Sequence, residues 1–308
     1  MIKSSLYKLL IYSCFIYTFT YSIQFNNKRK SLLLDINNNK QRIISSKNKK
    51  SFFGNQDIFV NNTELNYNKK LITISPGGCK GFYLAGILTF IKENYNITDC
   101  IFSGASAGAW NALFMCYKGD TMSLVYNILD VNIIKAKTLN ELQYLLKYKL
   151  LSNYKTEDFD LRKVFIGVTT FKYYTPVINI YTDFDDLEDA INCCIASSHI
   201  PLVTGGISNR YKNLFSFDGG FSKYPYLEKE RLLHISHSMW KTTNKNITKK
   251  ENWKYYLEYL HRFSEFFLLS KNNLVELFDN GYYDAKINKE FFDVILEKRN
   301  IENETLSF

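Results

Sequence analysis

The chain has 308 residues, 46% hydrophobic and 16% aromatic, enough to bury one good-sized core. Its net charge of +9 is confined to residues 1 to 56, where ten Lys/Arg face one acid, Asp35. The remaining 252 residues hold 29 basic and 29 acidic side chains, so the usual reading of a basic protein, a nucleic-acid partner, is excluded for the body.

The first 22 residues, "MIKSSLYKLLIYSCFIYTFTYS", place two early lysines before a short apolar run. This is the pattern of a signal peptide, with an N-terminal hydrophobic anchor as the alternative. Residues 23 to 56 are basic, rich in Asn and Ser and almost free of acids, as a transit peptide is. Together they resemble the two-part leader of proteins sent to plastids with several bounding membranes. A disordered linker behind an ordinary secretory signal is the other reading. Either way the chain is expected to enter the secretory pathway, with 57 to 308 as its folded domain, a core at about 68 to 226 and a helical part at 227 to 308.

Residues 71 to 75, "LITIS", predict a short buried strand, followed by the Gly-rich turn "PGGCKG" and an amphipathic helix over 82 to 94. "IFSG" predicts a second strand, running into a turn at Ser106 and a buried helix over 107 to 117. Strand, glycine turn and helix repeated twice imply βαβ units and a parallel sheet. Residues 118 to 160 read as helical. Within them 118 to 150 is a candidate lid or rim, or a packed helical layer. A strand pair is expected at 163 to 171 and 176 to 182. The segment "DLEDAINCCIASSHI" opens with acids at a helix start, where the helix dipole favours them. "NLFSFDGG" predicts another strand ending in a glycine turn. Helical patterns follow near 251 to 270 and 286 to 298.

Cys14 falls in the leader. Cys79, Cys100, Cys116, Cys193 and Cys194 form no Cys-x-x-Cys pair and no metal-ligand spacing, so buried thiols are expected, with no metal and no cofactor.

Three turns carry the candidate chemistry. In "GASAG", Gly104 and Gly108 flank Ser106, and a tight strand-to-helix turn would lift its hydroxyl clear of the sheet. In "PGGCKG", Gly77, Gly78 and Cys79 can aim backbone N–H groups at a developing oxyanion, with Gly81 the last glycine of the turn. A plain βα turn or a phosphate loop reads the same residues differently. In "FDGG", Asp218 ends an apolar strand before Gly219 and Gly220. A carboxylate there can have a raised pKa and accept a proton, although Asp-Gly is also a common turn. A Ser-Asp-His order would recruit His234 or His237, which sit in "RLLHISHSMW", a segment that reads as surface or linker.

The three turns, in this order, resemble those of the patatin-like phospholipase family. "IASSHIPLVTGG", "VFIGVTTF" and "LFDNGYYDA" are similar to further elements of that family. The resemblance implies a three-layer α/β/α sandwich around a mostly parallel sheet, with Ser106 as nucleophile and Asp218 as general base. It implies an oxyanion hole at Gly77, Gly78 and Cys79, and no catalytic histidine. The implied reaction is hydrolysis of fatty-acyl lipid esters through an acyl-serine, with transient contact to a membrane or lipid-droplet surface. Pro76 departs from the family's first glycine and removes one N–H. That departure motivates the alternative of an inactive lipid-binding or scaffolding protein with the same fold.

Overall fold

A computed structural model describes residues 57–59, 69–172, 175–222, 224–240, 269 and 272–299. The signal-like and transit-like segments and the helical pattern at 251 to 268 lie outside the described residues.

Among the described residues, eight strands form one mixed sheet: β1 (Asp57–Phe59), β2 (Lys70–Ile74), β3 (Cys100–Gly104), β4 (Val164–Lys172), β5 (Thr175–Tyr181), β6 (Asn209–Tyr211), β7 (Leu214–Phe217) and β8 (Arg231–Ile235). Their order is β1-β5-β4-β3-β2-β8, with β7 joined to β4 and β6 to β7. The run β4-β3-β2-β8 is parallel, as the two βαβ units require, and β4 and β5 form the expected strand pair in antiparallel sense. The helices are α1 (Gly81–Asn94), α2 (Ala107–Met115), α3 (Thr121–Ile128), α4 (Val131–Ile134), α5 (Leu139–Asn153), α6 (Leu187–Ser197), α7 (Leu274–Ile287) and α8 (Lys289–Ile295). The architecture is the α/β/α class expected from the sequence.

Alternation along the strands divides the core. Ile72, Ile74, Phe102, Val164, Ile166 and Val168 face a large cluster shared with the helices. Leu71, Ile101, Phe165 and Ile180 point to the opposite face, where Leu227 and Ile178 join them. The acids at the start of α6 act as expected: the Asp186 carboxylate caps the Asp189 N–H at 2.7 Å.

The C-terminal helices are placed by α1. At Gly86 a Cβ would meet Phe278 O at 2.0 Å, and at Gly281 it would meet Tyr83 O at 1.9 Å. These two glycines let the α1 and α7 backbones touch. Tyr83 then donates to Asp284 (2.5 Å) and Tyr282 to Glu93 (2.8 Å).

Three local readings change. "RLLHISHSMW" contains a true strand: β8 runs parallel to β2 and buries Leu233 and Ile235, the latter also accepting the Ser75 N–H at 2.9 Å. The hydrophobic demand of β2's outer edge overrides the polar look of the segment. The helix expected over 286 to 298 is two helices, and the first begins twelve residues earlier, at Leu274 behind an Asn273 cap. Between β6 and β7, Lys212 (φ 43°) and Asn213 (φ 65°) make a two-residue hairpin turn without glycine, the reason the hairpin is silent in the sequence.

Candidate active site

The geometry of the site follows from β4. Its first three residues pair with β3 on one edge, Phe102 opposite Val164 through Gly104 opposite Ile166. On that same edge, β7 takes over in antiparallel sense, with Phe217 opposite Thr169. The C-terminal ends of β3 and β7 therefore point at each other across Gly167 and Val168. Ser106 follows the first end and Asp218 the second.

Ser106 has φ 55° and ψ −128°, a left-handed conformation costly for a residue with a side chain. It is the residue before α2, so the turn is the sharp strand-to-helix elbow expected of a nucleophile. The flanking glycines permit it by close approach. A Cβ on Gly108 would lie 2.2 Å from Ile74 O, and one on Gly104 would lie 2.0 Å from Gly108 O. The Ser106 Oγ donates to Asp218 Oδ2 at 2.6 Å, and both residues are about 95% buried. Asp218 Oδ1 accepts the Gly220 N–H at 2.7 Å. Desolvation pushes the Asp218 carboxyl up to about 6, against the two hydrogen bonds that favour its charged form.

A third residue holds the elbow. Ser197, at the end of α6, accepts the Ser106 N–H at 2.8 Å and donates to Gly167 O at 2.7 Å. Gly219 packs on that same carbonyl, 2.2 Å from where its Cβ would be. Thr169 Oγ1 donates to Asp218 O (2.9 Å), and the Asp218 N–H donates to His199 O (2.7 Å). Sequence reasoning passed over Ser197 and Thr169, because a serine inside an apolar helix carries no local signal. The stretches "IASSHIP" and "VFIGVTTF" marked the places without singling out either residue.

The glycine turn after β2 forms a single 3-10 turn, Gly78–Lys80, entered with Gly78 at φ 52°. A left-handed residue there demands glycine. The turn's leading N–H groups, on Gly78 and Cys79, precede any partner within it, while Gly81 N–H bonds back to Cys79 O and Gly78 O. Gly78 and Gly81 line the same pocket as Ser106 and Asp218. Pro76 stands beside the base turn, 3.1 Å from a Cβ at Gly220. The missing N–H at position 76 thus precedes the turn, of which Gly78 lines the pocket.

The pocket opens to solvent, and its empty space, counted with the open mouth, is about 920 Å³. Leu113, Phe114, Leu124, Leu142, Leu150 and Phe159 give it an apolar wall. Helices α3 and α5 supply part of that wall, and Lys147 on α5 binds Glu188 (2.6 Å) and Asn192 (2.8 Å) of α6. In this structure the 118 to 150 segment is a packed layer over the pocket.

Neither His234 nor His237 lines the pocket. His234 Nδ1 is 2.9 Å from Thr73 Oγ1, on the register of Leu71 and so on the sheet face opposite the pocket. His199 is buried, its Nε2 without a partner among the described residues, and its backbone supports Asp218. The five cysteines of the body are all free and buried. No group of His, Cys, Asp and Glu fit to hold a metal occurs among the described residues.

The fold and the site define an α/β/α protein with a nucleophile-elbow serine hydrogen-bonded to a buried aspartate above an apolar pocket. The family model described as patatin-like phospholipase matches residues 72–228, just over half of the chain. The chain belongs to that family, and its general activity is that of a lipid ester hydrolase. Among solved structures, VipD from Legionella pneumophila is similar at 13% identity and a TM-score of 0.39, covering 83% of this chain and 73% of its own. No curated protein matches the chain.

Proposed function

We propose that the chain cleaves fatty-acyl lipid esters through an acyl-Ser106 intermediate, with Asp218 as the only general acid–base. The observation that carries this reading is the 2.6 Å hydrogen bond from Ser106 Oγ to Asp218 Oδ2 at the head of an apolar pocket. As Ser106 Oγ attacks the ester carbon, its proton passes to Asp218 Oδ2. The carbonyl oxygen becomes an oxyanion, for which the N–H groups of Gly78 and Cys79 are the assigned donors. Collapse expels the alcohol, which takes the proton from Asp218. Water then attacks the acyl-serine and gives a proton to Asp218. The second tetrahedral species releases the fatty acid and returns that proton to Ser106. A carboxylate with a pKa near 6 suits both directions of transfer near neutral pH.

The acyl chain is assigned to the leucine- and phenylalanine-lined wall, and the lipid reaches it by transient contact with a membrane or droplet surface. The test uses the full chain beside Ser106→Ala and Asp218→Asn, with mixed phospholipid, galactolipid and glyceride substrates and a fluorophosphonate probe. Fatty-acid release and probe labelling that both vanish in Ser106→Ala are expected. Equal release by wild type and Ser106→Ala would sink the dyad. Failure of the folded wild type to label in the presence of lipid would favour a binding or scaffolding role.

A further inference from the structure

The pocket follows two helices away from Ser106. On α2 it is lined by Ala107, Trp110, Asn111, Leu113 and Phe114, and on α5 by Leu139, Leu142, Gln143, Leu146 and Leu150. The α5 residues are spaced to form one stripe about 16 Å long. Leu139 and Leu142 belong to the cluster that holds Cys79 and Phe82, beside the glycine turn. Leu150 belongs with Phe114 and Phe159. The stripe thus leads from the glycine-turn end toward the end at Phe114 and Phe159.

Gln143 interrupts this leucine stripe. It is 92% buried. The other polar side chains on the lining are engaged within the protein. Ser106 binds Asp218, and Asp218 also binds Gly220. Asn111 Nδ2 donates to Gly81 O and Ala107 O. Trp110 donates to Ser198, Ser198 to Cys194 O, and Thr204 to Ser198 O. The Gln143 amide has no hydrogen bond to any described residue. Its neighbour one turn on, Lys147, is spent on Glu188 and Asn192. Its amide atoms are not fully occluded, and Gln143 lines the pocket. Buried amides in native proteins find partners. A leucine here would complete the stripe, so this one's partner arrives with the occupant.

We propose that Gln143 is a polar subsite of the acyl pocket that selects fatty-acyl chains bearing a hydrogen-bonding oxygen, a hydroxyl or an epoxide, in the half nearer the ester. This rests on the acyl-hydrolase reading above. The position follows from α5: Gln143 stands one turn, about 6 Å, beyond Leu139. The amide can donate to an epoxide or hydroxyl oxygen and can accept from a hydroxyl. An unsubstituted chain would leave it unpaired, and sites built to bind a hydroxyl reject analogues that lack it.

The test reads binding, without turnover, on full-length Ser106→Ala protein. Stearate and a positional series of hydroxystearates compete with a fluorescent fatty acid, beside the double variant Ser106→Ala, Gln143→Leu. One isomer, or two adjacent ones, should bind about tenfold tighter than stearate, and Gln143→Leu should erase that preference while binding stearate as well or better. Equal affinities across the series, as a bound water with no selective role would give, overturn the proposal. So does a preference that survives in Gln143→Leu, or no fatty-acid binding at all. If Gln143→Leu melts early, Gln143→Met gives the same comparison at similar volume. Fluorophosphonate labelling of the wild type is scored separately. Lost labelling with a retained isomer preference rejects hydrolysis and leaves the subsite standing.

Discussion

Ser106 Oγ and Asp218 Oδ2 meet at 2.6 Å across 112 positions of sequence because β3 and β7 abut end to end along one edge of β4. The pair is thus held by sheet register, and burial raises its carboxyl.

Activity should follow ionisation of Asp218. Its carboxyl is raised to about 6, first by desolvation, and only the ionised form accepts the serine proton. The expected kcat/KM profile rises with unit slope as pH passes through about 6 and is flat above 7. Asp218→Asn should remove at least about 10³-fold of the rate and the ascending limb with it. A profile flat from pH 5 to 8 in the wild type counts against Asp218 as the base.

The same burial has a cost in stability. The folded-state pKa is raised above the unfolded value, so between about pH 4 and about pH 6 the folded chain binds more protons than the unfolded one. Stability from this group therefore falls as pH rises through that window and stays lower above it, by up to about 3 kcal/mol. Asp218→Asn should accordingly stabilise the protein at pH 7.5 and give little at pH 4. Denaturant melts of both proteins at the two pH values decide it.

Ser197→Ala should slow the reaction without weakening lipid binding. It leaves the Ser106 N–H and Gly167 O unpaired behind a strained elbow, a loss of about 1–3 kcal/mol. The expected result is a kcat lower by about 10- to 100-fold, a KM within about twofold, and proportionally slower fluorophosphonate labelling. Unchanged labelling would show that the elbow keeps its shape without this bond.

Pro76→Gly should change turnover by less than about threefold, since the donors assigned to the oxyanion come later, at Gly78 and Cys79. It should destabilise the fold by about 1 kcal/mol by freeing the unfolded chain and uncovering Gly220. A rise of tenfold or more in kcat would mean that the proline restrains the oxyanion turn.

Gly281→Ala tests the seat of α7. Its Cβ would fall 1.9 Å from Tyr83 O, so α7 must leave α1 and give up the Tyr83–Asp284 and Tyr282–Glu93 bonds. A loss of more than about 3 kcal/mol in chemical denaturation is expected.

The three turns, the helices over 82 to 94 and 107 to 115, and the paired strands around 164 to 181 were legible in the sequence. Each rests on local chemistry: glycine where backbones crowd, apolar period 2 or 3.6, acids at a helix start. Strand β8 and helix α7 were hidden because their burial is conferred by β2 and α1. Ser197 and Gln143 were hidden because a single polar residue in an apolar helix has no local signature.

By itself, then, the sequence determined which residues are able to turn sharply, expose a serine or end a strand in a carboxylate. The tertiary structure decided that Ser106 and Asp218 share a proton while His234 stands behind the sheet. It decided that Pro76 flanks the Asp218 turn, and that the Gln143 amide lies in the apolar pocket without a hydrogen bond to any described residue. The physical reason is that hydrogen bonds and desolvation act over about 3 Å in space. Only the register of β3, β4 and β7 brings distant parts of the chain within that range.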